Sequence, residues 1–237
     1  MSYFLYIIFG TLPSFLWLIF FLRKDVHPEP KRMILKIFFY GMIIALPVVL
    51  IEMGIIKFIG EFNLPFLATS ILNMVLGVAF VEEFIKYLVV REKALNHREF
   101  DEPIDAIIYM ITVAMGFAAI ENILILFSLG PEFFLRETLS ISAFRFLGAT
   151  FLHALCSGTL GYFLALSICQ KNTFLFVKGL LIVTLLHGIY NSSIIGIKGA
   201  FSFLIPAIIL LSLAIYLAFA LKRLAKIRTF PYPREES

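Results

Sequence analysis

A chain of 237 residues that is 61% hydrophobic and 15% charged, with a mean hydropathy of +0.97, stands far from soluble domains, which run about 45–50% apolar and about 25% charged. That balance excludes a soluble globular domain and a disordered chain. The formal net charge of +4 is spread in short basic clusters between apolar runs, which argues against nucleic acid and for a lipid bilayer as the surrounding partner.

A bilayer core of about 30 Å takes roughly 20 apolar residues as helix. Seven stretches meet that length, at about 3–22, 33–53, 66–90, 104–129, 141–168, 174–195 and 201–221. The first has no basic leader and no small-x-small site before Arg23, so it is expected to remain as a span rather than be cleaved as a signal peptide. Arg23, Lys24, Lys31, Arg32 and Lys36 follow it, then Arg91, Lys93 and Arg98, then Lys171 and Lys178, and finally a basic tail from Lys222. The opposite loops offer only Lys57, Arg136 and Lys198. The positive-inside rule therefore predicts an external N-terminus and a cytoplasmic C-terminus in the cell membrane. No hydrophilic segment is long enough for a separate soluble domain. Residues 1–237 are expected to form one membrane-embedded domain, with a disordered cytoplasmic tail at 223–237. Cys156 and Cys169 form no CxxC pair and read as packed thiols.

Ionisable groups inside a span are expensive, so each is a functional candidate. The third span holds Glu82, Glu83 and Lys86, the fourth Glu121, the fifth Arg145 and His153, and the sixth His187, with Asn122 and Asn191 as uncharged companions. Glu52 lies near the outer end of the second. Glu82 and Lys86, Phe117 and Glu121, His153 and Ser157, and His187 and Asn191 are each four apart, hence on one helix face. Lipid cannot satisfy such stripes, so they must meet in a shared interior cavity. Gly116, Ala118, Ala119, Ser157, Gly158 and Gly161 are small enough for the helices to approach closely. Depth arithmetic at 1.5 Å per residue sets Glu82 toward the cytoplasm and Glu121 toward the outside, an offset of roughly 13 Å. Two adjacent carboxylates at low dielectric need a retained proton or an offsetting cation, with Lys86 and a bound metal as the two candidates. Glu121, His153 and His187, with Glu82 or Glu83, also supply the N/O donors that zinc takes while keeping a water. Arg145 and Lys86 can alternatively snorkel toward the interfaces. On residues alone, hydrolase and ion relay both stay open.

The segment VEEFIKY at 81–87 resembles the EExxK motif of the PrsW family of intramembrane proteases. Residues 105–126 resemble its FxxxE segment, with Phe117 and Glu121 at the defining positions, and FLHALCSGTLGYFL (151–164) and LLHGIYNSS (185–193) resemble its two His motifs. The early loop RKDVHPEP (23–30) is similar to the family's Asp…Glu-Pro loop. The resemblance implies peptide-bond hydrolysis of membrane-protein substrates, in the family's namesake of an anti-sigma factor in a stress-response cascade. It extends to the type II CAAX prenyl endopeptidases, whose water-activating Glu and His and oxyanion-holding Asn fall by position on Glu82, on Glu121 (where the prenyl proteases have His), on His187 and on Asn191.

The resulting expectation is an all-α protein of about seven transmembrane helices around a buried polar cavity, acting as an intramembrane metallo-endopeptidase. Glu82 or Glu83 would be the general base. Glu121, His153 and His187 would hold zinc or, without metal, position the water, and Asn191 would stabilise the oxyanion. The alternatives are an ion or proton transporter using the same Glu/His chain, and a catalytically silent membrane binding protein.

Overall fold

The computed structural model describes residues 3–130, 135–196, 199–227 and 229–230. All regular structure among these is helical: α1 (Tyr3–Leu22), α2 (Lys31–Gly60), α3 (Phe66–Leu72), α4 (Val81–Val90), α5 (Asp105–Ser128), α6 (Leu135–Leu147), α7 (Ala149–Cys169), α8 (Thr173–Gly196) and α9 (Phe201–Leu224). They make 7 spans long and apolar enough to cross a membrane, so the protein is a multi-pass membrane protein. The helix α9 carries on to Leu224, inside the segment expected to be a disordered tail. Residues 228 and 231–237 of that tail lie outside the described residues.

Two spans differ from simple helices. The third runs from Phe66 to Leu95, with π-helical stretches at Asn73–Phe80 and Arg91–Leu95 on either side of α4. Such widened turns are rare and frequently fall at functional sites, and here they flank the segment that carries Glu82, Glu83 and Lys86. The fifth is broken at Gly148, whose φ of −104° and ψ of −98° leave the helical region. A Cβ at Gly148 would stand 2.6 Å from Tyr190 Oη and 2.8 Å from the Phe144 carbonyl, so the bend and the contact from α8 both require glycine.

The helix α5 is buried from Asp105 through Ala119, and α7 from Leu152 through Ala165. A helix apolar all round belongs inside, and these two form the centre of the bundle. The helices α1, α2 and α9 pack around them and turn Ile43, Leu50, Leu211 and Phe219 outward, the face that meets lipid. Close approach of α2 to α5 depends on a reciprocal glycine pair. A Cβ on Gly41 would lie 2.1 Å from the Val113 carbonyl oxygen, and one on Gly116 would lie 1.9 Å from that of Phe38. Trp17 of α1 stacks on Phe146 and Phe151 and donates its indole N–H to the Phe146 carbonyl at 2.8 Å, which holds the broken span against the first.

Candidate active site

The helix α4 presents Glu82, Glu83 and Lys86 to the interior, all buried. Lys86 does not snorkel. Its Nζ donates to Glu82 Oε2 at 2.8 Å and Glu83 Oε1 at 3.0 Å, and lies 3.0 Å from His153 Nδ1 of α7. It also sits 4.4 Å from the centroid of the Phe117 ring of α5. Three donors thus meet three acceptors. An ammonium has no lone pair, so Nδ1 of His153 must be the acceptor and the proton of the neutral ring sits on Nε2. That nitrogen is 2.8 Å from Glu121 Oε2 and donates to it.

Glu83 is tied from every side. Its Oε1 takes Lys86 and also His187 Nδ1 at 3.2 Å, while Oε2 accepts the Ser157 hydroxyl at 2.6 Å. With Nδ1–H of His187 donating to Glu83, its Nε2 is left with a lone pair. Glu82 is less encumbered: Lys86 holds Oε2, and the same oxygen lies 3.4 Å from His153 Nδ1. Glu82, Glu121, Phe117 and Glu52 line a cavity of about 250 Å³ between α2, α4 and α5. A larger cavity of about 730 Å³, walled by Trp17, Phe20, Leu155 and Leu217, is apolar and away from these groups.

The outer side of the cluster is anchored separately. Arg145 Nη2 lies 3.0 Å from Glu121 Oε2, and Arg145 Nε donates to Asn122 Oδ1. Asn122 in turn donates to the Gly10 carbonyl and to Thr150 Oγ1, each at 3.1 Å. Glu121 therefore receives a neutral imidazole on one side and a guanidinium on the other.

Of the residues singled out in the sequence, Glu82, Glu83, Lys86, Glu121, His153 and His187 come together. The vertical offset between Glu82 and Glu121 does not keep them apart, because one imidazole reaches both: His153 turns Nδ1 to Lys86 and Glu82 and Nε2 to Glu121. Asn191 is half-buried one turn beyond His187, and among the described residues it makes no hydrogen bond to the cluster. Glu82, Glu83, His153 and His187 each offer a ligand atom, all within 4.8 Å of one another. Glu121 is outside that group, on the far nitrogen of His153. The nitrogen and carboxylate donors suit a metal ion such as zinc, and the buried group can bind one. Lys86 at present uses three of the same four side chains.

Three participants were missed or set aside. Arg145 reads from sequence as an interface residue, yet the break at Gly148 turns α6 so that it meets Glu121. Opposite charges near the same depth of adjacent spans were the available signal. Ser157 reads as packing, but its position four residues after His153 was enough to put its hydroxyl on the cavity face. Glu52 looks peripheral, yet it lines the cavity and its Oε1 is buried without a hydrogen-bond partner among the described residues. Its being the sole carboxylate at depth in the second span was the clue.

Seven spans wrapped around carboxylates, imidazoles and an ammonium define a polytopic membrane protein with a buried polar cluster between its helices. The family profile described as PrsW family intramembrane metalloprotease matches residues 29–221, and the chain belongs to that family. It is 32% identical to Protease PrsW of Oceanobacillus iheyensis over 85% of this chain and 88% of that protein. Against Protease PrsW of Bacillus subtilis the identity is 29%, again over 85% and 88%. With Protease PrsW of Geobacillus kaustophilus it is 31%, over 73% and 71%. No solved structure matches the chain. Of the classes left open by residues alone, the family selects an intramembrane peptidase, which acts on a substrate in a membrane setting.

Proposed function

We propose that the protein hydrolyses a peptide bond held in the cavity beside Glu82, with Glu82 as the general base. The observation that carries this reading is the asymmetry of the carboxylate pair: Glu82 lines the cavity, whereas both oxygens of Glu83 are bonded to Lys86, His187 and Ser157. Glu82 takes a proton from water as the oxygen attacks the carbonyl carbon. It returns the proton to the departing nitrogen as the C–N bond breaks. Glu83 is the positioning group, aiming His187 and holding Lys86. Glu121 fixes the orientation of His153, and the Asn191 amide serves as a donor to the oxyanion.

Zinc is the metal we assign to the centre; Glu83, His153 and His187 would hold it once Lys86 gives up its bonds to Glu83 and His153. Bound there it would supply a polarised carbonyl and an acidified water. The whole chain acts as one membrane-embedded domain. The asymmetry of Lys and Arg among the loops supports an external N-terminus and a cytoplasmic C-terminus in the cell membrane. The substrate we propose is a membrane-anchored regulator of the anti-sigma-factor type.

The test compares newly formed protein N-termini in membranes of cells carrying wild type or Glu82→Gln. Termini close to a partner's membrane span that disappear in the variant are the expected result. Identical profiles under several stresses, with both proteins folded and equally abundant, would overturn the assignment of Glu82.

A further inference from the structure

At the end of the bundle where the 23–30 loop meets the start of α5, several helical turns from Glu121 on that helix, a second group of acids is gathered. Asp25, Glu29 and Asp105 each offer a carboxylate oxygen, all within 4.8 Å of one another. Asp25 and Asp105 are 8% and 2% exposed. Among the described residues no Lys or Arg forms an ion pair with any of the three. His27 is 2.8 Å from Glu102 instead, and Glu102 and Asp101 add further negative charge beside the group.

The hydrogen bonds account for only part of this burial. Asp25 Oδ1 accepts the His27 N–H at 3.1 Å, Asp105 Oδ2 accepts the Glu102 N–H at 2.7 Å, and Tyr109 donates its hydroxyl to Glu29. Among the described residues, Asp25 Oδ2 is buried with no hydrogen-bond partner. A buried, unpartnered carboxylate oxygen in a cluster of acids is costly unless a cation takes it.

We propose that Asp25, Glu29 and Asp105 form an oxygen-donor site for a hard divalent cation, Mg²⁺ or Ca²⁺, clamping the loop after α1 to the first turn of α5. The donor set is all oxygen, which suits these ions and not the softer metals. Ca²⁺ sits about 2.3–2.6 Å from its ligands, so oxygens on opposite sides of it are up to about 5 Å apart. The three carboxylates already have that spacing. Mg²⁺, at about 2.0–2.1 Å, would draw them slightly inward. A wide acidic cleft lined by His27, Glu29, Asp101 and Glu102 gives the ion a way in. The consequence reaches the reaction centre mechanically, because α5 is the helix that also carries Phe117 and Glu121.

The experiment uses the purified full-length protein in detergent micelles, freed of divalent ions by chelation. Tb³⁺ is the binding probe, since Tyr109 beside Glu29 can sensitise its emission, and Mg²⁺ and Ca²⁺ are titrated separately as competitors. The expected result is a Tb³⁺ signal displaced by one or both ions, with affinity at least 10-fold weaker in Asp25→Asn and in Asp105→Asn. The Glu82→Gln variant, altered only at the intramembrane cluster, keeps the signal. Wild-type thermal unfolding supplies a second measure that needs no acid-site variant, and its midpoint should rise with Mg²⁺ or Ca²⁺. Absence of any shift with either ion, or a folded Asp25→Asn that binds Tb³⁺ as wild type does, overturns the site and leaves the three carboxylates sharing protons.

Discussion

Lys86→Met is the most informative single change at the reaction centre, because methionine keeps most of the side-chain length and removes only the ammonium. Lys86 is fully buried, and its Nζ contacts Glu82, Glu83 and His153 at 2.8, 3.0 and 3.0 Å. Removing one partner of a buried ion pair destabilises by about 3–5 kcal/mol, since the other charge is left uncompensated. Here two carboxylates lose their cation together, but one can take up a proton, which keeps the loss near that range rather than doubling it. The folding constant should fall by about two to four orders of magnitude. Unfolding by SDS in mixed micelles, followed by circular dichroism, reads this as a clear drop in the midpoint. The same variant frees three of the four side chains that a metal would use, so added Zn²⁺ should restore stability to Lys86→Met far more than it changes wild type. A variant that unfolds at the wild-type SDS fraction would refute the account of Lys86 as the charge that holds this cluster. Equal stabilisation of both proteins by Zn²⁺ would refute competition between ammonium and metal for the same donors.

Two further changes test the supports of the site. Gly116→Ala forces a methyl group to where it would lie 1.9 Å from the Phe38 carbonyl oxygen; α2 must move off α5, and overpacking of this kind destabilises by about 1–3 kcal/mol, visible as a lower SDS midpoint with unchanged helix content. Arg145→Gln removes the guanidinium 3.0 Å from Glu121 Oε2 while leaving the imidazole contact in place. Cleavage of whatever substrate the terminus comparison identifies should fall at least about 10-fold, with stability reduced by less than in Lys86→Met. An unchanged rate would show that Glu121 needs only His153 to be held.

The span count, the buried polar cavity and the set of residues that meet there were legible because lipid enforces a simple rule: ionisable groups at depth must face one another. Spacing of four residues was enough to assign Glu82 with Lys86 and His153 with Ser157 to common faces. What periodicity does not carry is departure from regular helix. The bend at Gly148 depends on Tyr190, a residue 42 positions later that comes within 2.6 Å of where a Cβ would be, and without that bend Arg145 looks like an interface residue. The π-helical turns around α4 similarly leave no mark in an apolar pattern. The offset in depth between Glu82 and Glu121 does not part them, for a different reason. It measures Cα heights, whereas Glu82 and Glu121 are joined by the length of two carboxylate side chains and an imidazole between them. The metal set shifted for the same cause: Glu121 looks equivalent to the other donors in one dimension, but it lies on the nitrogen of His153 that faces away from Glu83 and His187.

Charge balance gives the strongest reason to look to Glu82 for the proton transfer. Glu82, Glu83 and Glu121 face two fixed cations, Lys86 and Arg145, and both histidines are bonded in ways that suit neutral rings. Arg145 is spent on Glu121, and Lys86 is shared between the Glu pair, so one negative charge is uncompensated. Glu83 distributes its charge over a lysine, a histidine and a serine. Glu82 has only the lysine and borders the cavity that Glu52 also enters. In the mechanism we propose, the proton that Glu82 takes from water moves this negative charge off a carboxylate with one partner and onto the oxyanion, with the net charge unchanged. A resident divalent metal would carry that sum past neutrality with Lys86 still charged, and would balance it only where the ammonium is gone. That makes the net charge of the centre, rather than its ligand geometry, the quantity that decides between the two, and it is why Zn²⁺ should discriminate between Lys86→Met and wild type.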